Sequence, residues 1–271
     1  MAQQFVNIAG YRFVDLPDRD TLREPFREVC EENGLLGTIL LSTEGINFFL
    51  CGGQEGIDRY LEYIQQDERF VDIPLKISHS EKRAFRRMNV RLKNEIISMG
   101  MDEIRPAEST GEPIAPAEFK QWMDEGRDIT VLDTRNDYEI RIGTFDNAVD
   151  LNLSTFRAFP EAVKNSNLDK DKTVVMFCTG GIRCEKASAL MLKEGFQDVR
   201  QLQGGVLGYF EDMGGAHWDG DCFVFDRRVA VDPELNVTGA EVCFACREPL
   251  TQEELDSPLY VPAISCPYCI E

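Results

Sequence analysis

The residues best suited to chemistry lie in TVVMFCTGGIRCEKASALMLKEGF (173–196), where an apolar run ends in Cys178 and a helical pattern follows. Ala187, Leu190, Met191 and Phe196 are the apolar positions of that helix. Between strand and helix lies a six-residue loop: Cys178, Thr179, Gly180, Gly181, Ile182 and Arg183. Two adjacent glycines let a backbone fold tightly with its N–H groups turned inward. A helix N-terminus adds partial positive charge, and Arg183 adds a full one. A thiolate at Cys178 would sit in that field, with its pKa pulled below the free value of about 8.5. The same cradle suits a persulfide sulfur or an oxyanion. A buried cysteine that merely closes a core strand is the plainer reading, and the glycines and arginine weigh against it. Cys184 follows directly. It reads as helix packing, with a resolving thiol as the alternative.

A second constellation stands near residue 271, where CFAC (Cys243, Cys246) and CPYC (Cys266, Cys269) are separated by nineteen residues. Four thiolates at this spacing complete a tetrahedral shell, so a structural zinc is expected, with two disulfides or four free thiols as alternatives. Read alone, CPYC also suits a redox pair, which would call for a helix after it. A third feature is cationic. Lys82, Arg83, Arg86, Arg87, Arg91 and Lys93 crowd into residues 82–93 with no acidic side chain among them. Such a stripe suits phosphate contacts, with Phe85 available for stacking, or else a charged edge strand. No flavin, haem or nicotinamide signal is visible. The two histidines, His79 and His217, are too isolated for a two-His-one-carboxylate iron site.

The elements that must position these residues follow from patterning. Residues 5–78 read as βαββαβ, an α+β unit of ferredoxin-like type. Leu22, Phe26, Val29 and Cys30 share one helix face, and Ile57, Tyr60, Leu61 and Ile64 share another. RPAESTGEPIAP (105–116) has the composition of a linker. From 117, short apolar runs (TVLDTR, NAVDLNL, TVVMFC, DVRQL) alternate with helical segments, as in an α/β domain with a mostly parallel sheet and flanking helices. The expected division is therefore 1–104, a linker at 105–116, an α/β domain at 117–215, and an acidic Cys-rich tail at 216–271. The net charge of −19 opposes nonspecific nucleic-acid binding by the whole surface. Residues 203–271 alone hold thirteen acidic and three basic side chains. MAQQFVNIAGYRF lacks a basic stretch followed by an apolar one, no run of about 18 apolar residues exists, and an odd cysteine count of nine is unlike a disulfide framework. Reduced thiols in the cytoplasm are expected, and no membrane role.

Residues 117–212 resemble the rhodanese family, whose persulfide-forming loop is matched by Cys178–Arg183. VLDTRNDYE (131–139) resembles the family's Asp-x-Arg segment, and LQGGVLGYF (202–210) its closing Gly-Gly segment. Gly143-Thr144-Phe145 departs from the Gly-His-Ile of many rhodaneses. Asp133 and Arg135 become candidates for active-site support, or are simply an N-cap and a surface ion pair. Cysteine phosphatases carry a longer loop and a histidine before the cysteine; Phe177 stands there instead. Over nearly all 271 residues the chain resembles the rhodanese-containing tRNA uridine hydroxylases, on STEGIN (42–47), RRMNVRLKNEI (86–96), CTGGIRCEKA (178–187), LQGGVLGYF and the cysteine pairs. The resemblance implies oxygen-dependent conversion of a wobble uridine to 5-hydroxyuridine, with molecular oxygen as co-substrate, a tRNA anticodon loop as partner and Cys178 as catalytic residue. It also implies an acylphosphatase-like fold for the first unit. Sulfane-sulfur transfer through a Cys178 persulfide is the alternative, and a non-enzymatic zinc and RNA-binding module the third. Arg86, Arg87 and Arg91 are expected on tRNA phosphates, with the first unit beside the cysteine loop.

Overall fold

β-Branched and aromatic residues dominate the opening strand, β1 (Phe5–Phe13). The computed structural model describes residues 4–270, and the chain divides into two units between Thr110 and Gly111. In the first unit β1 is followed by α1 (Arg19–Glu32), β2 (Leu36–Ser42), β3 (Gly45–Gly52), α2 (Gln54–Ile64), β4 (Leu75–Ser80) and β5 (Met88–Leu92). The sheet order is β4-β1-β3-β2-β5. The first four strands pair antiparallel, and β5 joins β2 in parallel. This is the ferredoxin-like arrangement with one strand added. Phe26 and Cys30 of α1 and Ile57, Tyr60 and Ile64 of α2 form one core with Ile8, Ile39 and Phe48 of the sheet. STEGIN is a clamp on the end of the basic segment. Glu44 Oε1 accepts the Ile96 N–H at 2.7 Å, and Asn47 Nδ2 donates to the Ile96 carbonyl at 3.3 Å.

The second unit contains β6 (Glu112–Ile114), α3 (Pro116–Asp124), β7 (Thr130–Asp133), α4 (Asp137–Ile140), β8 (Gly143–Phe145), β9 (Val149–Asp150), α5 (Phe159–Asn165), β10 (Val174–Phe177), α6 (Ile182–Lys193), β11 (Val199–Leu202) and α7 (Gly205–Met213). Its parallel sheet runs β6-β11-β10-β7-β9, so β10 is central, and all four of its residues are buried. The carboxyl end of a central parallel strand is where such sheets build their sites, and Cys178 is the next residue after β10.

Two boundaries differ from the sequence reading. Within the stretch that reads as a linker, residues 112–114 form β6, which pairs with β11, and Pro116 already belongs to α3. Pro113 lacks an N–H, which an edge strand tolerates; Ile114 is buried. Gly111 is held by Ser188 and Gln201 at 2.8 and 2.9 Å. The second difference lies after residue 215, where an acidic tail is expected. There β12 (Trp218–Gly220) pairs with β8, and β13 (Cys222–Phe223) forms a hairpin with β14 (Ala230–Val231). Trp218, Cys222, Val224 and Val231 share the core of Phe145, Phe177 and Tyr209. The acidic balance of residues 203–271 hid these apolar residues because the runs that carry Cys222, Val224 and Val231, 222–225 and 229–231, are only four and three residues long. Only then come β15 (Glu241–Val242), β16 (Pro249–Leu250) and α8 (Gln252–Leu255), around the cysteine pairs. Among the described residues no helix is long and apolar enough to cross a membrane.

Trp218 meets Phe145, Phe210 and Phe177 edge-on at 5.0, 5.3 and 6.3 Å. Trp218→Ala is expected to cost about 3–5 kcal/mol of the second unit's stability. Denaturant titration of the full chain checks this, and a cost near zero would place residues from 216 on outside that core.

Candidate active site

The backbone around Cys178 is shaped from two sides. In front, Gly181 adopts φ +99° and caps α6, and its N–H donates to Cys178 Sγ at 3.1 Å. Behind, the Gly-Gly segment opens α7. Its Val206 and Leu207 N–H groups donate to the carbonyls of Cys178 and Thr179 at 2.9 and 3.1 Å. Gly205 approaches so closely that an added Cβ would lie 2.4 Å from the Cys178 carbonyl oxygen and 2.8 Å from the Gly181 nitrogen. No other residue fits there, which gives LQGGVLGYF a physical role as the backing of the loop.

Charge is arranged in two buried ion pairs. Arg183 donates through both terminal nitrogens to Glu139, at 2.6 and 2.7 Å, with side chains 5% and 0% exposed. Thr179 Oγ1 adds a bond to Glu139 Oε1 at 3.2 Å. Glu139 is positioned by the capping box of α4, where it reaches back to the Asn136 N–H. Asp133 and Arg135 form the second pair, closed by bonds of 2.7–3.2 Å. Arg135 also donates to the Gly143 carbonyl, Thr144 Oγ1 donates to Asp133 at 2.8 Å, and the guanidinium lies 5.1 Å from the Trp218 ring centroid. Both residues are wholly buried, so this is no surface ion pair. Thr144, in the segment that departs from Gly-His-Ile, here satisfies Asp133.

These surroundings set the acidity of the cysteine. Burial by itself pushes the Cys178 thiol up. The Cys184 S–H, the Arg183 charge and the N–H groups of Arg183 and Cys184 outweigh it and bring the pKa down to about 6. Burial pushes Cys184 well up, and its neighbour's thiolate pushes it further, so Cys184 stays a neutral donor. Its sulfur also lies 3.7 Å from Thr134 Oγ1. Cys184 is thus packed in the helix and touches the chemistry as well. Thr179 and Arg183 are buried, while Gly180 and Ile182 are half-buried. Sequence reasoning missed Glu139; the Asn136-x-x-Glu139 capping pattern was the available signal.

The other candidates belong to other segments of the chain. Lys82, Arg83, Arg86, Arg87, Arg91 and Lys93 are all exposed, on or beside the edge strand β5 of the first unit. Among the described residues none of them makes an ion pair; Arg83 instead covers the Phe5 ring at 5.4 Å. The sulfurs of Cys243, Cys246, Cys266 and Cys269 all lie within 4.8 Å of one another. Three of the separations are 3.5, 3.6 and 4.0 Å. A tetrahedral zinc with bonds of about 2.3 Å places its sulfurs about 3.8 Å apart, so the donor set fits that ion. All nine cysteines are unbridged.

Residues 5–96 match the model of the UPF0176 acylphosphatase-like domain, and residues 115–212 that of the rhodanese-like domain. A tRNA uridine(34) hydroxylase of Cupriavidus taiwanensis is 51% identical over 98% of this chain and 97% of its own. The chain belongs to the tRNA uridine(34) hydroxylase family. A further tRNA uridine(34) hydroxylase, from Ralstonia nicotianae, is 47% identical over 99% of this chain and 97% of its own. The match to these hydroxylases thus spans both units.

Alkylation of Cys178 measured against pH is expected to rise with a midpoint near 6, the value its surroundings set. Cys184→Ala removes a donor to the thiolate, so the midpoint should move up and the rate at pH 6–7 should fall. An unshifted midpoint would remove Cys184 from the cradle.

Proposed function

We propose that this protein hydroxylates uridine 34 of tRNA to 5-hydroxyuridine in the cytoplasm, with molecular oxygen as co-substrate and Cys178 as the catalytic residue. The observation that carries the reading is a buried thiolate of depressed pKa at the end of the central strand, in a chain of this hydroxylase family. The Gly181 N–H and the helix N-terminus hold negative charge on sulfur, Arg183 adds to the field from its pairing with Glu139, and burial keeps bulk water away. Asp133, Arg135 and Thr144 brace the loop's neighbouring strand end. An anticodon loop offers the exposed, unstacked base that such a site requires. Phosphate contacts, chiefly from Arg86, Arg87 and Arg91 with Lys82, Arg83 and Lys93, supply most of the affinity. Support for this comes from their exposure and their lack of carboxylate partners.

Complementation of cells lacking the gene, followed by nucleoside analysis of tRNA, tests the assignment. Wild type is expected to restore 5-hydroxyuridine-derived bases, and Cys178→Ser, which changes almost no volume, to restore none. Full restoration by the serine variant would overturn the role of Cys178. Loss of thiolated bases in place of hydroxylated ones would favour sulfur transfer through a Cys178 persulfide.

The tail cysteines Cys243, Cys246, Cys266 and Cys269 we assign to a structural zinc, which would tie together a segment whose own core is only Cys243, Leu250 and Cys266 with their partly buried neighbours. About one zinc per chain is expected from one tetrahedral thiolate site. Metal analysis of chelator-free protein showing none would reject the assignment. With zinc present, Cys243→Ser should raise proteolysis of the tail before that of the rhodanese-like core.

A further inference from the structure

The β13–β14 hairpin stands against the Cys178 loop, and its turn is built to hold an exposed ring. Val224 N–H donates to the Val229 carbonyl at 2.8 Å. The Asp226 carboxylate takes the Arg228 backbone N–H at 2.9 Å and its guanidinium at 2.6–3.0 Å. Phe225, between these fixed points, is nonetheless 49% exposed. It meets Phe223 edge-on at 5.1 Å, and Phe223 meets Tyr138 at 5.4 Å. The Arg183 guanidinium lies 5.6 Å from the Phe225 centroid, and Thr179 Oγ1 reaches the Phe223 carbonyl at 3.5 Å. Three rings thus lead from the loop to the surface. Beside the outermost, Arg227 is exposed and makes no ion pair among the described residues. It is one of only three basic residues within 203–271.

An exposed ring next to an uncommitted arginine is the pair of groups that single-stranded RNA engages. A base stacks on the ring, and a phosphate meets the cation. A protein or lipid partner would ask for a broader apolar patch. Large apolar residues near this turn, Val224 and Val229, are instead buried. We propose that Phe225 stacks on the uracil to be modified and that Arg227 binds an adjoining phosphate, making this hairpin the element that presents the base to Cys178. The proposal rests on the functional reading above. The position explains why the ring is left open: Arg183 covers it from the side of the loop, and the remaining surface is offered to the substrate.

The test uses full-length protein and unmodified tRNA. Binding is measured across a salt series, hydroxylation by steady-state kinetics, and Cys178 alkylation against pH without RNA. Phe225→Leu keeps an apolar cover over Arg183 but removes the stacking face. It is expected to weaken tRNA binding and raise KM about tenfold, within the range for base–aromatic stacking. Phe225→Trp should return both to within about twofold of wild type, since a larger ring stacks as well. Arg227→Gln should flatten the salt dependence by about one phosphate contact. The alkylation midpoint of Phe225→Leu should equal that of wild type. Wild-type binding by Phe225→Leu, no recovery with Phe225→Trp, or a shifted alkylation midpoint that accounts for the loss would each overturn the proposal; the last would make the ring a cover for the Arg183–Glu139 pair. If the wild-type enzyme leaves uridine 34 unmodified, the functional reading fails, and the stacking claim is still decided by the binding arm, which needs no turnover.

Discussion

Glu139 and Arg183 share a buried, two-pronged ion pair, and the cysteine loop hangs from it. Taking either charge out of water alone would cost several kcal/mol. Together they satisfy each other and the Thr179 hydroxyl. Arg183 then has a fixed place from which its charge reaches Cys178. The capping box that holds Glu139, the glycine that caps α6 and the glycine pair that backs the loop all serve the same geometry. Remove the pair, and the thiolate loses the one full positive charge that, beside the Cys184 S–H and the backbone N–H groups, offsets its burial.

The Asp133–Arg135 pair forms a second layer below the first. Its guanidinium is flanked by Phe177 and Trp218, at 5.6 and 5.1 Å. A tryptophan from beyond the parallel sheet therefore helps to bury a charge at that sheet's end. The cysteine-rich tail reaches the same region through Arg141, one residue past α4. Arg141 pairs with Glu248 and lies 4.4 Å from the Tyr268 ring centroid. Tyr268 belongs to the CPYC pair, so the tail grips the helix that carries Glu139.

Much of this was legible in sequence because local chemistry and global fold agree. The run VVMF, the Gly-Gly-Ile-Arg turn and the following helix can be read from residues 174–193 alone, and so can the helical stripes of the first unit. Glu139 was not legible as a partner of Arg183, since the two are 44 positions apart and nothing in their spacing links them. Residues 112–114 and 216–231 were misjudged for a related reason. Residues 112–114 lie in a stretch rich in proline, glutamate and serine, and 216–231 lie in a region, 203–271, of thirteen acidic and three basic side chains, so the few apolar residues around Ile114, Trp218 and Cys222 were outweighed by their surroundings. Such positions gain meaning only when the sheet supplies their neighbours.

Among the described residues the added strand β5 pairs in the sheet with β2 alone, which leaves it one open edge. Open edges invite a further strand, from another chain as readily as from the same one. Here the edge is bordered by Arg86, Arg87, Arg91 and Lys93, all exposed. A second copy arriving edge to edge would set guanidinium against guanidinium. The charged row therefore repels self-pairing, which works against a five-stranded sheet growing into a ribbon of many chains.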